Sequence, residues 1–186
     1  MTQSALLIID VQQSFLHRPF WSEEALPAFR QALTTLIDGC RQRGVLLADI
    51  FHDSGEWPFS LDSGLIKPLP FLTHQADIVC HKHVHNALTE SGLDAWLRAR
   101  RVTHLIIAGM RTEQCCETTA RVASDLGYHV TFVTEATLTF PMTRAGRALD
   151  SDELKFRTET VLSDRFADIR DVAGCLAQLT AQRGTV

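Results

Sequence analysis

The sequence predicts an α/β fold: a doubly wound three-layer α/β/α sandwich, Rossmann-like, around a mostly parallel sheet of about six strands. Short apolar runs that end at polar residues alternate with segments of helical periodicity, which is typical of buried parallel strands joined by helices. At 186 residues and 45% hydrophobic content, the chain is long enough to bury the core of one domain, 1–186. No repeat or low-complexity segment interrupts the alternation.

The first strand and helix are the clearest local signals. Residues 5–9 form an apolar run that ends at Asp10, so we expect this carboxylate at the C-terminal end of a buried strand. Residues 22–43 carry apolar side chains at helical spacing, which predicts an amphipathic helix. Glu23 and Glu24 would then lie in its first turn, where the helix dipole favours acidic side chains.

Two further strands follow. Residues 45–50 predict the second strand, and residues 51–70 form a long loop rich in aromatic residues, proline and glycine. Residues 76–82 predict a weaker third strand that ends at Lys82. A loop as long as 51–70 is more often functional than not.

The second half of the chain continues the alternation. Its predicted elements are helix 93–101, strand 104–109, helix 115–126, strand 129–134, a largely helical segment 141–162, strand 166–169 and helix 171–182. Ligands of open α/β sheets bind beyond the carboxyl ends of the strands. Asp10, Lys82 and the loop after Gly109 all fall at such ends, so the sequence predicts a site there.

Composition and charge restrict the partners. The formal net charge is -4 and no long run of lysine or arginine occurs, so we expect a small-molecule substrate and neither nucleic acid nor a membrane. Five cysteines without a Cys-x-x-Cys pair predict neither a disulfide framework nor a structural zinc site. Together with the lack of a basic leader at the N-terminus, this pattern favours the cytoplasm.

The junction from Gly109 to Cys115 is the most informative segment. An apolar run stops at a glycine, and a cysteine then opens a predicted helix. Free amides and the dipole at a helix N-terminus lower the pKa of a thiol and bind oxyanions, so a nucleophile is expected here. The alternative is a buried, inert cysteine on a core helix.

Asp10 and Lys82 would allow such a thiol to act as a nucleophile. The carboxylate accepts the thiol proton, the ammonium favours the ionised states, and the thiolate attacks a carbonyl carbon. Asp10 could then protonate a leaving amine and activate the hydrolytic water. Taken singly, Asp10 is equally interpretable as a solvated or structural carboxylate, and Lys82 as a surface lysine.

Two adjacent cysteines compete for the role of nucleophile. Cys116 shares a stripe of small residues with Ala120 and Ala123, which indicates close packing on the sheet. The stripe that contains Cys115 is also largely apolar, so periodicity alone leaves both in the core. Because Cys115 comes first after the loop, we prefer it as the nucleophile.

Histidines and aromatic residues supply further candidates. His81, His83 and His85 alternate, as in a strand that points three imidazoles to one side, but no carboxylate or cysteine at ligand spacing completes a metal site. We therefore predict no metal and no cofactor. The pocket candidates are Phe15, His52, Trp57 and Phe59. Their alternatives are a loop histidine without a role and aromatic rings that cap the core.

These residues together resemble the isochorismatase-like cysteine hydrolase superfamily. The resemblance rests on Leu6-Leu-Ile-Ile-Asp10-Val-Gln12, on Lys82 with His85-Asn86-Ala87-Leu88, and on Gly109-x-x-Thr112-x-x-Cys115. It implies a catalytic triad of Asp10, Lys82 and Cys115 and an oxyanion hole from the amides of Arg111 and Cys115. It also implies a cis peptide between Met110 and Arg111, and a homo-oligomer, dimer or larger.

Departures from the family pattern indicate the reaction. Metal-dependent nicotinamidases of the superfamily carry Asp-x-His after the second strand, where this chain has Ile50-Phe51-His52. Isochorismatases proper lack the nucleophilic cysteine, so Cys115 favours hydrolysis of a C–N bond of amide, carbamoyl or ureido type through an acyl-enzyme. The alternatives are a catalytically silent redox-sensing or ligand-binding protein of the same fold, and a hydrolase of a non-amide bond.

Overall fold

Parallel strands and flanking helices form most of the computed structural model, which describes residues 3–183. The strands are β1 (Gln3–Ile9), β2 (Leu46–His52), β3 (Ile78–Lys82), β4 (Val102–Met110), β5 (His129–Leu138), β6 (Met142–Arg144), β7 (Arg147–Leu149) and β8 (Asp168–Ile169). The helices are α1 (Leu26–Gln42), α2 (Leu93–Ala99), α3 (Glu117–Asp125), α4 (Ser151–Leu162) and α5 (Val172–Arg183). The ends of the predicted domain 1–186, residues 1–2 and 184–186, lie outside the described residues.

Six of these strands form a parallel sheet in the order β3-β2-β1-β4-β5-β8. Alternate side chains of β1 enter two different cores: Leu6 and Ile8 pack in the layer with α1 and α5, and Leu7 and Ile9 in the layer with α2 and α3. This arrangement confirms the predicted three-layer fold. None of the helices between residues 3 and 183 is long and apolar enough to cross a membrane.

The chain reverses its direction of travel across the sheet between β1 and β4. From β1 it adds β2 and β3 on one side, and then returns to add β4, β5 and β8 on the other. A crevice opens at such a switch point, beyond the carboxyl ends of the two central strands. Asp10 and the segment after Met110 lie at this crevice.

Gly109 allows β4 to end close against β1. Its φ is +122°, and a Cβ at this position would lie 2.1 Å from the carbonyl oxygen of Ile9. Only glycine fits both the conformation and the space. The next peptide bond, Met110–Arg111, is cis, as the family resemblance implied.

The boundaries of α1 differ from the prediction. The helix begins at Leu26 and not at Ser22, so Glu23 and Glu24 precede it and its first turn contains no acidic residue. Pro27 lies in that first turn, where its missing N–H and fixed φ are tolerated. The apolar spacing identified the helix but not its start.

The prediction that segment 141–162 is largely helical is wrong for the first part of the segment and confirmed for the second. Its first part is the antiparallel hairpin of β6 and β7, whose turn residues Ala145 and Gly146 have φ of +50° and +77°. Such a pair of positive φ angles is typical of tight hairpin turns. Helix α4 begins only after Asp150, which caps it together with Glu153 in a reciprocal capping box.

Candidate active site

Asp10 follows the last residue of β1 and is held in a tight bend. Its φ is +54°, a left-handed conformation that Asp adopts more readily than most residues, and its N–H donates to the carbonyl of Ile50 at 2.8 Å. Two residues later, the side-chain amide of Gln12 donates to the carbonyl of His52 at 3.0 Å and accepts from its N–H at 2.7 Å. Gln12, the last residue of the first motif of the family resemblance, therefore joins the ends of β1 and β2.

Lys82, the last residue of β3, connects the site. Its side chain is fully buried, and Nζ lies 2.9 Å from Asp10 Oδ2 and 3.4 Å from Cys115 Sγ. Nζ also lies 3.2 Å from the carbonyl oxygen of Val84 and 3.2 Å from His52 Nδ1. The ammonium has three N–H donors and four possible acceptors around it, and these contacts fix its position.

Cys115 lies in a π-helical turn, Thr112–Cys116, and not in the first turn of an α-helix as predicted. The turn closes through the N–H of Cys116, which donates to the carbonyl of Arg111 at 3.2 Å, and α3 begins only at Glu117. The carbonyl of Cys115 accepts a hydrogen bond from the Thr119 hydroxyl at 2.7 Å, and this bond anchors the turn to α3. Inserted π turns are frequent at functional sites. Local periodicity does not distinguish such a turn from the start of a helix.

The three groups share one buried electrostatic environment. Burial raises the pKa of Asp10, although Lys82 opposes this, and no hydrogen bond from a described residue reaches Oδ1. Burial alone would lower the pKa of Lys82, but the charge of Asp10, followed by that of Cys115, raises it. The ammonium is therefore kept protonated, while the carboxyl binds a proton more readily than an exposed aspartate.

The thiol of Cys115 does not have the lowered pKa that a helix N-terminus would give it. Burial and then the charge of Asp10 raise its pKa, and Lys82 only partly offsets them. The predicted lowering is wrong because the thiol is only 8% exposed and lies near the carboxylate of Asp10, and both raise its pKa. The thiol is therefore the resting form of Cys115, with the carboxyl group of Asp10 among its charged neighbours.

Cys116 lies in the core, as its stripe of small residues predicted. It is fully buried with Ala120 and Ala123, and burial raises its pKa well above the usual value. Cys115 instead points to Lys82. The two cysteines are thus distinguished by their surroundings.

The predicted pocket residues lie in different environments. Phe15 and Phe59 are buried and pack edge to face with 4.9 Å between ring centroids, so they belong to the core. Trp57 is 66% exposed, and its ring contacts His17. His52 is the last residue of β2 and not a loop residue; burial and then the charges of Lys82 and His85 lower its pKa to about 4.

The alternating histidines do not share one strand. β3 ends at Lys82, so only His81 lies on it, while His83 donates through Nδ1 to the carbonyl of Asp53 at 2.7 Å. The Nδ1 atom of His85 lies 4.0 Å from Cys115 Sγ, a contact that the sequence did not indicate. Within residues 3–183, no group of three or more histidine, cysteine or acidic side chains is arranged to hold a metal ion.

The chain is similar to known proteins in sequence and in fold. Residues 4–164 match the isochorismatase domain family. Nicotinamidase 3 of Arabidopsis thaliana is 33% identical over 153 residues, which cover 74% of this chain and 74% of that protein. Ureidoacrylate amidohydrolase RutB of Variovorax paradoxus is 36% identical over 91 residues, which cover 49% of this chain and 34% of that protein.

Among solved structures, a hydrolase of the isochorismatase family from Chromobacterium violaceum has the same fold. Its TM-score is 0.86 at 29% sequence identity, and the match covers 97% of this chain and 94% of that one. The similarity therefore extends over almost the whole fold.

Proposed function

The chain belongs to the isochorismatase domain family of hydrolases, and on this basis we propose that it cleaves a C–N bond of a small amide, carbamoyl or ureido compound through a Cys115 acyl-enzyme. The observation that carries the proposal is the contact of Lys82 Nζ with both Asp10 Oδ2, at 2.9 Å, and Cys115 Sγ, at 3.4 Å. A nucleophile, a proton acceptor and a fixed cation thus meet at one strand edge.

The charges of the three groups support the first step. Asp10 accepts the thiol proton as Sγ attacks the carbonyl carbon, and its raised pKa makes it a better base than an exposed carboxylate. The ammonium of Lys82 stays charged throughout and stabilises whichever neighbour is negative. Negative charge moves from Asp10 to the substrate oxygen, for which the amides of Arg111 and Cys115 are the proposed oxyanion hole.

Two relatives support the choice of bond. Nicotinamidase 3 and ureidoacrylate amidohydrolase are both named for cleavage of C–N bonds. Direct attack by Sγ leaves a thioester and a free amine, and water then releases the acid. A redox sensor is less well supported, because sensor thiols are exposed and have a low pKa. The thiol of Cys115 is buried, and its pKa is raised.

Trapping of the acyl-enzyme tests the proposal. The protein is incubated with a panel of small primary amides, carbamoyl and ureido compounds, quenched in acid and digested with trypsin, which releases a peptide, Thr112–Arg121, that holds both cysteines. We expect an acyl adduct on Cys115 in the wild type and in Cys116→Ala, and none in Cys115→Ala. An adduct on Cys116, or turnover that survives in Cys115→Ala, would contradict the proposal.

A further inference from the structure

The sulfur of Cys115 lies between two proton carriers of different exposure. Asp10, on the inner side, is 1% exposed, and its Oδ2 is occupied by Lys82. His85 is exposed, and its Nδ1 lies 4.0 Å from the sulfur. A leaving amine departs towards solvent and the hydrolytic water arrives from it, and of the two groups only the imidazole is exposed to that solvent.

The segment around His85 is anchored to the site on both sides. Lys82 Nζ donates to the carbonyl of Val84 at 3.2 Å. The N–H of Ala87 donates at 3.1 Å to the hydroxyl of Thr119, which itself donates to the carbonyl of the reactive cysteine at 2.7 Å. The backbone on both sides of His85 is therefore held by Lys82 and Thr119, which also contact Cys115.

His52 lies beside this ring and stays neutral, because burial and the charges of Lys82 and His85 lower its pKa to about 4. The two imidazoles are parallel, with an interplanar angle of 1° and 6.3 Å between centroids. His52 Nδ1 accepts a hydrogen bond from Lys82 at 3.2 Å, which requires the unprotonated nitrogen. Of the pair, His85 is the ring that contacts the sulfur.

We propose that His85 is a second catalytic residue, which gives a proton to the leaving amine and takes one from the hydrolytic water, while Asp10 exchanges its proton with the thiol alone. This refinement rests on the proposed function. In acylation, the thiol proton passes to Asp10, the S–C bond forms, the C–N bond breaks, and the amine nitrogen takes the proton from the His85 imidazolium. In deacylation, the neutral imidazole takes a proton from water, the C–O bond forms, the C–S bond breaks, and Asp10 returns its proton to the sulfur.

An acetyl-enzyme made with p-nitrophenyl acetate separates these roles. Nitrophenolate leaves without a proton, so we expect His85→Gln to be acetylated at the wild-type rate. Deacetylation, followed by the mass of the Cys115 peptide, should slow by about 10²-fold in His85→Gln, since general base catalysis contributes that order. His83→Gln is the matched control, because His83 is exposed in the same segment and bonds to Asp53 instead; it should deacetylate normally. Added imidazole should restore deacetylation to His85→Ala.

The possible failures are distinct. If His85→Gln loses its acetyl group at the wild-type rate while Asp10→Asn loses it slowly, the proposed role of His85 is overturned and the proposed function stays intact. Slow acetylation of His85→Gln, or no rescue by imidazole, would show a merely structural role. If the wild type resists acetylation at Cys115, or loses acetate no faster than the free thioester of N-acetylcysteine, the acyl-enzyme proposal itself fails.

Discussion

Substitution of Lys82 by methionine isolates the charge that holds the candidate site together. Methionine is close to lysine in length and removes the ammonium from a side chain that is fully buried. The carboxylate of Asp10 then loses its partner at 2.9 Å while it remains 1% exposed. Loss of one member of a buried pair costs about 3 to 5 kcal/mol of folding stability. We expect a loss of this size near pH 8.

The pH dependence identifies the cause of that loss. Because Lys82 lowers the pKa of Asp10, its removal raises this pKa further in the folded protein, whereas the unfolded value stays near 3.8. Between these two values the unfolded chain releases a proton that the folded chain keeps, so the free energy of unfolding falls as pH rises. One proton corresponds to about 1.4 kcal/mol for each pH unit. The decline in the free energy of unfolding should therefore extend to higher pH in Lys82→Met than in the wild type.

Urea unfolding at several pH values between 4 and 8, followed by the fluorescence of the three tryptophans, measures this difference. The double variant Asp10→Asn/Lys82→Met removes both charges and should regain most of the stability at pH 8. A loss in Lys82→Met that is the same at every pH would refute the reasoning, as would a double variant no more stable than the single one at pH 8.

Four further results are expected. Gly109→Ala should lower the melting temperature and the activity together, because its Cβ would lie 2.1 Å from the Ile9 carbonyl at a φ of +122°; a melting temperature equal to that of the wild type would contradict this. Burial lowers the pKa of His104 to about 4. The free energy of unfolding should therefore fall by up to about 3 kcal/mol as pH falls from 6.5 towards 4. Urea titrations of the wild type and His104→Asn should diverge over that range, and parallel curves would exclude His104 as the source. Asp10→Asn should lower the apparent pKa of iodoacetamide labelling at Cys115, since the carboxylate raises the pKa of that thiol; an unchanged or raised value would remove this interaction. Treatment with EDTA should leave turnover intact, and activity lost to EDTA and restored by added metal would revive a histidine metal site.

The sequence determined the elements that depend on local pattern. The apolar run before Asp10 and the alternation of strands and helices predicted the parallel sheet, because burial on both faces requires continuous apolar strands. Positions at strand ends also predicted that Asp10, Lys82 and the turn after Gly109 would meet, since parallel strands place their carboxyl ends at one edge. The small-residue stripe predicted the burial of Cys116.

Only the tertiary structure decided the state of the thiol and the surroundings of the histidines. Lys82 and Asp10 are 72 residues apart in the chain, and His85 and Cys115 are 30 apart, so no local spacing records their contacts. The pKa of a group depends on its burial and on charges within a few ångströms, which the assembled fold alone defines. The same holds for the π turn at Cys115, because one inserted residue changes which atoms face the sheet edge and leaves the apolar periodicity almost unaltered.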